Sequence, residues 1–286
     1  MEKKFFDKPT IYVGEVNINV TNLERSLDFY RDFLGFKVLE QTGEQAVLTA
    51  DGENPLLTIV QPANVMPKQE RTTGLYHFAI LLPKRADLAA LLQHIVEKSG
   101  GNMRLGASDH YVSEALYFDD PDGNGIEIAV DRDSANWEWT GSQVSMGTVA
   151  LDAEGLLRDM KGPWQGMPEE TVMGHIHLHV ADIEKSRSFY VNGVGYDIVT
   201  EFPGALFSSH NGYHHHIGMN TWNGENAPQP SPSSVGLNWY SLVFPDKAKR
   251  EETLKRLRGM NAKITKIKSD FLVEDPSGIK IRFVIK

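Results

Sequence analysis

The residues of this chain best suited to chemistry are its histidines and carboxylates. It contains ten histidines, 38 Asp plus Glu and no cysteine, so disulfides, thiolate nucleophiles and cysteine-bound zinc are excluded. Three places stand out. His175, His177 and His179 alternate along one apolar run and share a face if that run is extended. His214, His215 and His216 are consecutive, and His77 lies inside the apolar segment GLYHFAILLP. Glu127 follows the turn-forming residues Pro121-Asp-Gly-Asn and sits in the apolar run IEIAV. An inward carboxylate there costs several kcal/mol unless it is paired or bound to a metal. Taken singly, a hydrogen-bonded core histidine at 77 and an outward-facing Glu127 are the plainer readings. Taken together, imidazoles and carboxylates are ligands for a divalent first-row cation.

The elements that must position these groups emerge from an internal repeat. EVNINVTNLERSLDFYRDFLGFKV, from Glu15, recurs as HIHLHVADIEKSRSFYVNGVGYDI, from His175. Each copy reads as a strand, a capping Asn22 or Asp182, and a helix carrying Phe29-Tyr30 or Phe189-Tyr190. Gly35-Phe36 or Gly195-Tyr196 then ends the helix. A second pair, GLYHFAILLP from Gly74 and GLNWYSLVFP from Gly236, leads into predicted helices over 86–98 and 247–258. Both stretches close with an Asp-Pro turn and a strand, DPDGNGIEIAV from Asp120 and DPSGIKIRFVI from Asp275. With short alternating runs at 46–49 and 56–60 beside Asp51-Gly52, each unit reads as strand, helix and three strands.

The expected architecture is therefore α+β, with four βαβββ modules in two tandem halves. The first half spans 10–133, with module one at about 11–66 and module two at about 74–133. The second spans 172–286, with module three at about 172–222 and module four at about 235–286. Residues 134–171 form a connector whose Trp137, Trp139 and Trp164 argue for packing on the modules rather than a tether. The proline-containing stretch 223–234 reads as an irregular surface connection in preference to a lid. A chain of 286 residues at 41% hydrophobic content can bury such cores without staples. Its formal charge of −9 and lack of a dense basic run argue against nucleic acid. No apolar run approaches the roughly 20 residues that span a bilayer, and residues 1–8 lack an apolar leader, so a soluble cytoplasmic protein is expected.

Four βαβββ units with a strand-Asn/Asp-Leu/Ile-x-x-Ser/Arg-Phe-Tyr opening and a DPDGNGIE closing resemble the vicinal-oxygen-chelate superfamily, which holds glyoxalase I, bleomycin-resistance proteins and extradiol dioxygenases. The likeness covers nearly the whole chain apart from the connector. The stretch from His110 through Leu116-Tyr117 and Pro121-x-Gly123 to Glu127 is similar to the closing pattern of extradiol dioxygenases. Ser108 departs from that pattern. The chain as a whole looks like a two-domain bacterial catechol dioxygenase.

The resemblance implies a metal cup made by two modules, each offering a residue from its first and its last strand. Those positions are Glu15 and Thr58, His77 and Glu127, His175 and one of the 214–216 histidines, and Trp239 and Arg282. Modules paired in chain order would set Trp239 and Arg282 into one cup, where the fixed cation repels a metal. The other cup would then hold Glu15, His77 and Glu127, a feasible fallback. Pairing module two with module three instead collects His77, Glu127 and His175, a two-histidine, one-carboxylate triad with open positions. The crossed pairing is the expectation.

Under the dioxygenase likeness the cofactor is Fe(II), with Mn(II), Ni(II) and Zn(II) as alternatives, and the substrates are a small aromatic diol and O2. Setting Gly212 opposite Gly123 places His216 where Glu127 stands, with His214 on the same face and His215 pointing away. His216 is thus expected as the acid-base group, with a fourth ligand as its other reading, and His110 and Tyr117 as hydrogen-bonding partners of the ring oxygen. His177 and His179 read as wall residues. Two other functions compete: a glyoxalase-like isomerase or lyase, which often uses a second carboxylate, and a non-catalytic aromatic-binding resistance protein. The resemblance also allows a homo-oligomer.

Overall fold

The structure is a computed structural model that describes residues 2–286. Each module folds as strand, helix and three strands. Module one has strands Tyr12–Asn19, Lys37–Gln41, Gln45–Thr49 and Pro55–Val60, and module two has Gly74–Leu81, Gly106–Asp109, Ser113–Asp119 and Gly125–Asp131. Module three has Val172–His179, Asp197–Phe202, Ala205–Ser209 and Ile217–Asn220, and module four has Gly236–Phe244, Ile264–Ile267, Asp270–Glu274 and Lys280–Ile285. The helices of modules two and four run Arg85–Ser99 and Lys247–Gly259. In modules one and three a short α-helical turn capped by Asn22 or Asp182 passes into a π-helical turn, Asp28–Phe33 or Ser188–Val194.

Two sheets result, and they cross the chain order. The first strands of modules two and three pair antiparallel, with His77 opposite His177 and His175 opposite Ala79, at the centre of a nine-stranded sheet. The first strands of modules one and four do the same in an eight-stranded sheet. Within each module the last strand runs parallel to the first, so the two positions implied as ligand sites lie on neighbouring strands.

Modules adjacent in sequence are joined differently. Tyr30, from the module-one helix, donates its hydroxyl to Asp120 Oδ2 of the module-two Asp-Pro turn at 2.9 Å. Tyr190 does the same to Asp275 Oδ2 at 3.1 Å in the second half. One apolar core of residues from all four modules fills the space between. Sheets thus bind modules two to three and one to four, and buried Tyr–Asp hydrogen bonds bind one to two and three to four.

The connector is ordered. Val149–Ala150 adds to the edge strand Gly106–Asp109, and Trp164 donates its indole N–H to the Leu34 carbonyl at 3.1 Å. Trp137 packs with Phe5 and Tyr213. Residues 223–234 lie along the 66–73 segment, with Ser231 N–H on the Gln69 side chain and Thr73 N–H on the Pro228 carbonyl. Among the described residues no helix is long and apolar enough to cross a membrane.

Burial pushes the Asp275 carboxyl up to about 6, although Ile279 and Ser277 N–H groups and the Tyr190 hydroxyl bond it. The folded state therefore holds a proton that an unfolded chain releases near pH 4. Stability should fall as pH rises from about 4 to about 6, by on the order of 3 kcal/mol from this group, and then level off. Urea unfolding of the wild type and of Asp275→Asn at pH 4.5 and pH 7 tests this. The difference between the two proteins should change across that interval, and an unchanged difference would remove Asp275 as the cause.

Candidate metal centre

The centre of the nine-stranded sheet carries three buried groups aimed at one point. Glu127 Oε2 lies 3.0 Å from His77 Nε2 and 3.1 Å from His175 Nε2, and one ligand atom from each residue lies within 4.8 Å of the others. Sheet register explains the convergence. Ala79 sits opposite both Glu127 on one side and His175 on the other, so the three side chains rise from adjacent strands around that small residue. Gly125 permits the close approach of the last strand, since a Cβ there would lie 2.2 Å from the Tyr76 carbonyl oxygen.

The electrostatics suit a cation. Burial pushes the Glu127 carboxyl up, but the charge and hydrogen bond of His175, with the bond from His77, hold it well below the usual range. Burial keeps the His77 imidazole below its usual value in spite of Glu127. An ionised carboxylate and a neutral imidazole are the forms in which both side chains bind metal. The donor set, two imidazoles and one carboxylate buried in a cavity with free space beside them, fits a divalent ion with open coordination positions.

Gly218 limits the donors that module three can add. Ile126 pairs with Phe78 in module two as Ile217 pairs with Ile176 in module three, so Gly218 occupies the position of Glu127. A Cβ at 218 would lie 2.9 Å from the His177 ring. Module three therefore brings no second carboxylate, and His177 fills the space. Asn220 holds His177 there by donating its Nδ2–H to Nε2 at 3.0 Å, and its Oδ1 accepts from His179 Nδ1 at 2.7 Å.

This register corrects the placement of the three consecutive histidines. They precede the strand Ile217–Asn220 in a turn, so strand alternation does not govern them. His216 is fully buried and faces away from the cavity, its Nε2 bonded to the Phe5 carbonyl at 3.0 Å, and burial drives its imidazole down to about 3. Neither an acid-base role nor a ligand role fits it. His215, expected to point away, lines the cavity with its ring centroid 4.0 Å from that of His175. His214 lies behind it, Nε2 on Asp131 Oδ1 at 2.9 Å and Nδ1 against His215 Nδ1 at 2.8 Å. A carboxylate accepts, so His214 carries its proton on Nε2 and accepts through Nδ1 from His215. The Nε2 lone pair of His215 is left for the cavity.

His110 and Tyr117 form another wall of the cavity. The Gly147 carbonyl accepts from His110 Nδ1 at 2.7 Å, which directs the Nε2 lone pair to the Tyr117 hydroxyl at 2.7 Å. Burial, with Glu127 nearby, pushes the Tyr117 phenol well above its usual value, so it stays protonated. Gly147 belongs to the connector, which thereby becomes part of the site.

A model of the Glyoxalase/Bleomycin resistance protein/Dioxygenase superfamily matches residues 12–128 and 172–283. The chain belongs to this superfamily. It is 43% identical over 281 residues to the catechol-2,3-dioxygenase of Bacillus subtilis (strain 168), with 96% of this chain and 97% of that protein covered. Among solved structures, a dioxygenase candidate from Bacillus subtilis subsp. subtilis str. 168 superposes with a TM-score of 0.66 at 14% identity, covering 97% of this chain and 86% of that one. Glyoxalase I from Zea mays superposes at 0.57 and 16% identity, covering 96% and 92%. These two superpositions establish the shared fold.

The other cup of the superfamily fold is closed on itself here. Thr58 donates its hydroxyl to Glu15 Oε1 at 2.6 Å, and Arg282 lies 5.4 Å over the Trp239 ring while bonding Asp270. Its groups satisfy one another, whereas those around Glu127 converge on a single point.

One divalent ion per chain should therefore bind after anaerobic reconstitution and dialysis, as read by elemental analysis. His77→Ala or His175→Ala should each lose most of it, and the bound ion should raise Tm by mass action, since about 100 Kd of free ligand contributes about 2.7 kcal/mol. Full metal content in both variants would exclude this ligand set.

Proposed function

We propose that this chain is an Fe(II)-dependent extradiol dioxygenase that opens a catechol-type ring beside its two hydroxyls. The observation carrying the proposal is the donor set itself, with Gly218 at the position where a second carboxylate would stand. The 43% identity to a catechol-2,3-dioxygenase over nearly both chains supports the same reading. One C–C bond between a hydroxylated carbon and its non-hydroxylated neighbour breaks, both atoms of O2 enter the product, and a 2-hydroxymuconic semialdehyde-type acid results.

His77, Glu127 and His175 would hold the iron. Bound there, Fe(II) with two neutral imidazoles and one carboxylate has a formal charge of +1, favours an anionic diol and lets electron density pass from ring to O2. His215 takes the proton that the diol hydroxyl releases, onto its Nε2 lone pair. Asp131 and His214 support that role by fixing the tautomer from behind. Tyr117, held by His110, faces the diol from another wall and orients a ring oxygen. Phe207, Val112 and Met146 keep the remaining wall apolar and limit water beside the reacting carbons.

Anaerobic loading with Fe(II), then catechol and air, should give a yellow product and stoichiometric oxygen uptake. No colour, together with isomerisation of a thiol hemiacetal, would favour the glyoxalase-like alternative. His215→Ala should lower kcat by about 10²–10⁴-fold with iron content retained. His216→Ala should lower Tm instead, because it removes a buried bond to Phe5. The reverse pattern, with kcat depending on His216 alone, would sink the assignment of His215.

A further inference from the structure

We infer that the mouth of the metal cavity is an apolar subsite that accepts an uncharged aryl or alkyl substituent on the diol ring and rejects a carboxylated one, with Trp222 and Phe202 setting this preference. The inference rests on the ring-cleavage reading above and specifies its substrate class.

The cavity measures about 460 Å³. That lies within the roughly 300–1,000 Å³ range of sites for drug-sized ligands and exceeds what one unsubstituted six-membered ring fills. Its inner end is polar, with the metal triad and His215. Toward the opening the walls become aromatic through Tyr76, Phe202, Phe207 and Trp222.

Three of those rings are unusually open to solvent, Tyr76 at 39%, Phe202 at 45% and Trp222 at 55%. They come from three separate elements and still converge on one opening. Each is anchored. Trp222 has its backbone N–H on Asn220 Oδ1 at 3.0 Å, and its ring stands edge-on to Tyr76 at 5.3 Å. Phe202 stands edge-on to Phe207 at 5.9 Å. Tyr76 in turn packs on His77 at 4.9 Å, so the rings continue the cavity wall outward from a metal ligand. Exposed aromatics held in place around a cavity, rather than spread over a flat face, offer area to something that enters it.

The charge pattern selects among entrants. Neither lysine nor arginine lines this cavity among the described residues, and Glu127 is its one carboxylate. The cations Lys68, Arg71, Lys263 and Lys280 line a different cleft. An anionic substituent held among Phe202, Phe207 and Trp222 would lose water and gain no cationic partner, whereas a phenyl or alkyl group loses nothing polar.

The test compares catechol, 4-phenylcatechol and 3,4-dihydroxybenzoate on the Fe(II)-loaded enzyme, by aerobic kcat/KM and by anaerobic titration calorimetry. The wild type should favour 4-phenylcatechol over catechol about tenfold or more and disfavour the carboxylated diol by a similar factor. Trp222→Ala should lower efficiency for 4-phenylcatechol about tenfold more than for catechol, with Trp222→Phe retaining most of the preference. Phe202→Lys should improve the carboxylated diol relative to catechol, a gain that no loss of folding can imitate. Equal efficiencies for the three diols, or variants that shift all three alike, would overturn the inference. If no diol is cleaved, the ring-cleavage reading fails, and the anaerobic Kd values decide the subsite alone: the same order upholds it and equal Kd values overturn it.

Discussion

The structure depends on a single buried carboxylate. Glu127 is 2% exposed at the centre of a nine-stranded sheet, where an unpartnered charge costs several kcal/mol. One of its partners, His77, is in the same module, and the other, His175, lies 48 residues onward beyond the connector. The charge is satisfied only after modules two and three have joined their first strands. Assembly of the sheet and assembly of the triad are thus one event, and any cation that binds the triad binds the folded chain alone.

Such crossed sheets would leave the two modules of each half loosely related if sheets were the only ties. The Tyr30–Asp120 and Tyr190–Asp275 bonds close the circuit, because each joins modules adjacent in sequence. Every module is held by one neighbour through a sheet and by another through a helix-to-turn bond. The Asp-Pro turns read as plain turns in the sequence, since their bond to a tyrosine 85 or 90 residues away has no local signature. The Phe-Tyr pairs were visible as repeats, but their purpose becomes apparent only from the packing.

The same contrast between local and distant information divides the site. Candidate ligand positions were legible because the superfamily resemblance marks which strand positions face a cup and the repeat transfers that register between modules, and the incompatibility of Trp239 and Arg282 with a metal points to the crossed pairing. The structure brings His77, Glu127 and His175 together. Alignment through Gly212 and Gly123 failed for residues 214–216 because it assumed equal turns before the last strands of modules two and three. The pairing of Ile217 with Ile176 sets Gly218, two residues beyond His216, at the position equivalent to that of Glu127. Asp131 and Gly147 were missed as supports of His214 and His110 for a related reason: their bonds cross 83 and 37 residues. The one available signal was an aspartate ending the strand of Glu127, four residues on and so on the same face. Trp222 and Phe202 offered less, since an aromatic in a turn or at a strand end acquires meaning only when three elements bring such rings to one opening.

Two cups on one scaffold show how few atoms separate a candidate metal centre from a cup whose groups bond one another. In the cup of modules one and four, burial pushes the Glu15 carboxyl up while Thr58 and the charge of Arg282 oppose it, so hydrogen bonding and charge are resolved inside the protein. In the cup of modules two and three, two imidazoles meet one carboxylate at a single oxygen, on the wall of an open cavity. Gly218 then limits the donors. A carboxylate there would add a second negative charge and a fourth donor beside Glu127, making the centre less attractive to an anionic external ligand. With glycine, the fourth wall belongs to His177, which Asn220 keeps hydrogen-bonded at Nε2 and whose imidazole burial holds well below its usual value. The absence of a side chain at one strand position thus keeps the donor set at two imidazoles and one carboxylate.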